Sequence, residues 1–204
     1  MKMVLSSGRL NGTRTYLVGA MDRVPDSGTG WREDVTPFLE GMGVTVLNPC
    51  KKPIDVGVED DDARLNIEAY KSTGSFDMIR EEYGIIRAVD LRCVDISDFI
   101  VASIDVDVHA CGTYEEITLA NRQKKPVLVW CQQGKAKAPN WLFFMLPHQH
   151  IFNSMEEITD YLSYVNSGEN VAHFKRWFFF SDDVRKPNNQ KPTKLNGYSF
   201  SSTR

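Results

Sequence analysis

Residues 98–104, DFIVASI, are apolar at nearly every position, and so are the cores of KPVLVW at 125–130 and TRTYLVGAM at 13–21. A strand with one wet face alternates polar and apolar side chains, whereas a strand without alternation is covered on both faces. Helical spacing fills the intervals. Trp31, Val35, Phe38, Leu39 and Met42 share one stripe, with Pro37 as a bend or a shifted start and Gly41 and Gly43 as stops. FDMIREEYGIIRAVDLRCVD (76–95) offers Met78, Ile79, Ile85, Ile86, Val89 and Cys93 as a second stripe, and TYEEITLANRQ (113–123) is a third helix. VTVLNPC (44–50) and HQHIF (148–152) add two shorter strands, and SMEEITDYLSYV (154–165) a last helix with Ser154 as cap and Glu157 in the capping-box position. Lys51 to about Glu68 is acidic and without period, and is expected to be a long loop.

Non-alternating strands separated by helices predict a doubly wound α/β domain: a mostly parallel five-stranded sheet of Rossmann or flavodoxin-like type, with helices on both faces. The 204 residues suffice for one such domain, expected over 1–165, and an extension over 166–204. That extension carries the apolar KRWFFF (175–180), expected to bury against the domain or a second subunit, and then a basic polar tail. A formal net charge of −3 provides no general attraction to nucleic acid or an anionic membrane, and no apolar run is long enough to span one. The four cysteines are widely spaced, without paired metal-ligand spacing, which fits reduced thiols in the cytoplasm. His148 and His150 flank Gln149 with no acidic partner nearby and are expected to be structural.

In open parallel sheets, ligands bind beyond the carboxyl ends of the strands. That directs attention to GAMDRVPDSGTGWR, NPCKKP and DVDVHACGTYEE, the segments after the first three strands. Gly112 and Thr113 open a helix whose first amides favour an anionic group. Glu115 and Glu116 follow, about 100° apart around the helix. Glu116 lies beside the buried-side residues Ile117 and Ala120 and is the inward carboxylate, with Glu115 nearer solvent. From pattern alone, such a pair more often complements the helix dipole on a solvated face than does chemistry.

The ordered series TYLVGAMD, WREDVTPFLEGMGVTVLNP, DLRCVDISDFIVASIDV and CGTYEEITLANRQKKPVLV resembles the nucleoside 2-deoxyribosyltransferase-like family, in particular a branch associated with bacteriophage genomes, over roughly residues 14–131. The resemblance implies a cofactor-free and metal-free enzyme, homo-oligomeric, acting on a small nucleoside or nucleotide. It implies Glu116 as the nucleophile on the anomeric carbon, Tyr16 as the hydroxyl that orients it, and Asp90 as the group that assists protonation of the departing base. Gly19, Asp22, Arg23, Trp31, Arg32, His109, Gly112 and Thr113 fall where substrate would lie. Ala110 departs from the family, which commonly has a sugar-holding aspartate there, and His109 or Asp107 is the candidate replacement. A 5'-phosphate is then expected at Arg23, Arg32 or the Ser27-Gly28-Thr29-Gly30 loop. The alternatives are a hydrolase of nucleotide glycosidic bonds, including NAD-like ligands, and a nucleotide-binding module without turnover.

Overall fold

The five apolar runs become β1 (Arg14–Gly19), β2 (Thr45–Leu47), β3 (Phe99–Ile104), β4 (Val127–Cys131) and β5 (Ile151–Phe152). The computed structural model describes residues 8–52, 57, 60–168 and 176–177. All strand pairings are parallel, in the order β2-β1-β3-β4-β5. This is the expected flavodoxin-like order. The chain runs outward from β1 to β2 and then crosses back to β3, so the direction of winding reverses between β1 and β3, and a crevice opens at their carboxyl ends.

The missing alternation has the expected cause. Every residue of β3 is buried. Phe99 and Val101 point into a layer formed with α1 (Thr29–Gly41) and α6 (Met155–Ser167), through Val35, Leu39, Ile158, Leu162 and Val165. Ile100, Ala102 and Ile104 point to the opposite layer, under α3 (Phe76–Ile96) and α4 (Cys111–Arg122), with Cys93, Val94, Ile117 and Ala120. Pro37 sits inside α1 without ending it. Ser154 caps α6 by accepting the Glu157 amide, while the Glu157 carboxylate accepts from the Asn153 amide rather than from Ser154 itself.

Two expectations are corrected. Much of the presumed loop after Lys51 is α2 (Asp61–Thr73), started by the Asp60 side chain accepting from Ala63 N and stopped by Gly74 in the left-handed conformation. Its sequence, DDARLNIEAYKST, has no apolar stripe to betray it, and Ala63 is its one side chain in the buried hydrophobic set. The stripe proposed for α3 is shorter than expected: Cys93 and Val94 are buried, but Met78 and Ile85 are exposed, because only the last turns of this helix reach the sheet. A short helix α5 (Asn140–Met145) is an addition, anchored by Leu142 beneath the α4 layer.

Beyond α6, the described Arg176 and Trp177 pack on the same domain. Trp177 is fully buried against Phe99, with ring centroids 5.4 Å apart, and its indole N–H donates to Tyr161 Oη at 2.9 Å. His150 lies in the same network, with Nε2 3.0 Å from Tyr161 Oη, in keeping with a structural histidine. The basic tail and the remainder of KRWFFF lie outside the described residues. Among the described residues no helix is long and apolar enough to cross a membrane.

Candidate active site

The crevice holds a cavity of about 370 Å³ lined by Tyr16, Gly19, Asp22, Arg23, Asp90, His109, Gly112, Thr113 and Glu116, together with Ala20, Met21, Pro49, Ala110 and Cys111. Nine of the residues singled out in the sequence therefore meet in one place. Three elements bring the chemistry together. Tyr16 comes from the middle of β1, Asp90 from the sheet-facing end of α3, and Glu116 from the second turn of α4.

Tyr16 is buried, and its hydroxyl donates to Glu116 Oε1 at 3.0 Å. Glu116 is 8% exposed. Burial, and then the nearby Asp90 charge, push its carboxyl up to about 8, opposed by the Tyr16 hydrogen bond and by the Arg32 and Lys52 charges. Burial also raises Tyr16, reinforced by Glu116 and Asp90, so its hydroxyl stays a donor across the physiological range. Glu115 points away: its carboxylate pairs with the Arg87 guanidinium on the exposed surface between α3 and α4, with Arg87 Nε donating at 2.8 Å.

Asp90 has a different partner. Lys52, in the segment after β2, is almost wholly buried, with its side chain 1% exposed, and places its ammonium 2.8 Å from Asp90 Oδ1. The same ammonium donates to the Gly57 carbonyl. No residue pattern singles out Lys52, since a lysine in a charged, irregular segment looks solvated. Its position just beyond the carboxyl end of β2 was the available signal.

Two of the substrate-binding expectations change. Arg32 is fully buried in α1, and its guanidinium donates to Leu17 O at 3.1 Å, Gly19 O at 2.8 Å and Gly28 O at 2.5 Å. It braces the end of β1 and the following loop rather than reaching into the cavity. Spacing carries this signal, because Arg32 lies on the buried stripe with Val35 and Leu39. Trp31 packs over the Arg32 guanidinium, 4.7 Å from ring centroid to Cζ, and lines a neighbouring cleft with Trp130 and Ser103. That cleft touches the main cavity at Ala20.

The Ser27-Gly28-Thr29-Gly30 loop is likewise committed. Asp26 accepts from the amides of Gly28 and Gly30, each at 2.9 Å, and Arg64 of α2 donates to Ser27 Oγ at 2.6 Å. The amides that would have received a phosphate are turned to the chain's own carboxylate. Of the three phosphate candidates, Arg23 lines the cavity, in a left-handed backbone conformation beside Asp22. His109 also lines it, next to Ala110 in the chain, whereas Asp107 is turned toward Gln133.

The two glycines serve different ends. A Cβ on Gly19 would come within 3.1 Å of both the Ser103 carbonyl and the Trp31 ring, so the strand end has room only for hydrogen. A Cβ on Gly112 would meet nothing within 4 Å, which leaves the start of α4, where no side chain caps the helix, open to the cavity. Among the described residues no group of three or more metal-ligating side chains gathers. A buried carboxylate, a hydroxyl fixing one of its oxygens and a second carboxylate on the same cavity can together support covalent glycosyl chemistry.

No protein-family model matches the sequence, and none of the curated proteins matches it. Among solved structures, the chain is similar to a 2-deoxyribosyltransferase from Bacillus psychrosaccharolyticus, at 16% identity and a TM-score of 0.49 over 72% of this chain and 91% of that one. It is also similar to a CMP N-glycosidase of Clostridium botulinum, at 18% identity and a TM-score of 0.41 over 74% of this chain and 98% of that one. Values this low leave the chemistry of the cavity to be read from its own residues.

Proposed function

We propose that the protein cleaves or exchanges the N-glycosidic bond of a (deoxy)nucleoside or its 5'-monophosphate through a covalent Glu116 glycosyl ester. The observation that carries this reading is the 3.0 Å hydrogen bond from Tyr16 to a buried Glu116 at the carboxyl edge of the sheet, with Asp90 on the same cavity. Departure of a base leaves an oxocarbenium-like sugar, which a carboxylate within reach traps at the anomeric carbon. The base departs readily only if protonated, and the Asp90–Glu116 pair is the local proton source. Water arriving second gives hydrolysis, and a second base gives transfer. A 5'-phosphate, where present, would meet Arg23.

The test is incubation with deoxynucleosides and their 5'-monophosphates, with and without a second free base, followed by chromatography. New nucleosides mark transfer, free base and sugar mark hydrolysis, and intact ligand throughout rejects the proposal. The hydroxyl has its own signature. Tyr16→Phe leaves the ring packed but frees the carboxylate to rotate, and kcat is expected to fall about 10- to 100-fold with KM little changed. An unchanged kcat would remove Tyr16 from the mechanism.

A further inference from the structure

The sequence directs attention to two carboxyls, while the structure adds a cation behind them. We propose that Lys52 is a positioning residue of this site, ion-paired with Asp90 so that the free cavity keeps one proton, on Glu116, for the departing base. This rests on the glycosidic reading above. The geometry is that of a closed charge group: the Lys52 side chain is 1% exposed, Asp90 is 17% exposed, and their charged atoms are 2.8 Å apart. A buried ammonium without a partner is costly, and so are two adjacent buried carboxylates facing one ammonium. Adding one proton to the carboxyl pair brings the group to neutrality.

The surrounding groups favour the same arrangement. Tyr16 from β1 donates to Glu116, Arg32 from α1 is turned to backbone carbonyls, and burial and Asp90 both raise the Cys93 thiol of α3, which keeps it neutral. Asp22, Arg23 and His109 lie on the cavity wall. Burial and the Asp90 charge keep the Glu116 carboxyl protonated up to about pH 8, and Lys52 is one of the charges that limit the rise.

The step balances. As the C1'–N bond breaks, its electron pair stays on the base nitrogen, which takes the proton of the carboxyl pair, and the freed Glu116 oxygen bonds to C1'. When water or a second base attacks C1', the ester bond breaks and its electrons return to Glu116. The O–H or N–H proton of the incoming group returns to the pair. One proton is lent and recovered in each turnover.

The alkaline limb of kcat/KM is therefore expected near pH 8, where the pair loses this proton, with a tenfold loss per pH unit above it. Lys52→Met should lower kcat/KM at pH 7 by about 10-fold or more and move the limb upward by about one pH unit, and Lys52→Arg should restore both. A lysine that only supported the loop would lower activity and leave the limb in place. That result, or a rate that rises through pH 8, overturns the proposal.

Carbon-13 NMR titration of the Glu116 carboxyl needs no substrate. An upward shift in Lys52→Met without turnover in the wild type would therefore sink the glycosidic reading and keep the charge assignment, whereas an unmoved titration sinks the assignment. If Lys52→Met does not fold, Asp90→Asn takes its place in the same experiment. Removing the Asp90 charge should lower the Glu116 titration while burial still holds it above the usual carboxylate range, and a titration unmoved from about pH 8 would reject the coupled pair.

Discussion

Glu116→Gln is expected to reduce turnover by about 10³-fold or more and, at the same time, to make the protein more stable. The loss of activity follows from removing the nucleophile, since an amide oxygen does not form a glycosyl ester. The gain in stability follows from the burial of Glu116. Its carboxyl titrates near 4.5 when exposed and at about 8 in the folded chain. Between these values the folded state keeps a proton that the unfolded state releases. The stabilising contribution of Glu116 is thus full below pH 4.5 and is lost as pH rises to about 8.

Glutamine does not titrate, and its amide oxygen still accepts from Tyr16. The melting temperatures of variant and wild type should nearly coincide at pH 4.5, diverge steadily with rising pH, and run parallel above pH 8. The plateau difference should be on the order of 5 kcal/mol, or roughly 10–20 °C for a chain of this size. Activity that survives the substitution rejects Glu116 as nucleophile. A constant difference in melting temperature across the pH range rejects a buried carboxyl with a raised affinity for its proton.

Arg32→Ala is expected to act on folding rather than on ligand affinity. Its guanidinium joins the end of β1 to the loop that enters α1, through Leu17 O, Gly19 O and Gly28 O. Truncation strands these carbonyls in the interior and leaves a cavity beneath Trp31, for a cost of about 3 kcal/mol and a melting temperature lower by roughly 6–12 °C. Arg32→Lys should recover little of this, because a single ammonium does not replace a planar fork serving separate carbonyls. An arginine that served to bind phosphate would behave differently. Its loss would raise KM for monophosphates alone and leave the melting temperature unchanged, an outcome that would restore Arg32 to the substrate side.

The residues differ in how much of their role could be read beforehand. The sheet was legible because a strand buried on both faces has to be apolar throughout, and β3 is buried throughout. Glu116 was legible as the inward member of its pair from helical geometry, because Ile117 and Ala120 mark the buried side of α4. The contact between Tyr16 and Glu116 was not written in any local period, since the two are far apart in sequence and only the family resemblance suggested it. Helix α2 escaped notice because it is held by its caps and by polar contacts rather than by an apolar face. Arg32 and Lys52 were misjudged or missed because charge ordinarily implies solvent. At both positions the burial is offset by carbonyl and carboxylate partners that only the folded chain brings near.

The packing of Trp177 on Phe99 also bears on how the protein is made. Phe99 opens the strand at the centre of the sheet, yet the indole that covers it is encoded far downstream, after α6. At translation speeds of about 5–20 residues per second, the β3 surface waits on the order of ten seconds for that cover. Throughout this interval the nascent chain presents an aromatic side chain on an unfinished hydrophobic layer. The last side chain of that layer thus joins it only after every strand of the sheet and α6 have been made.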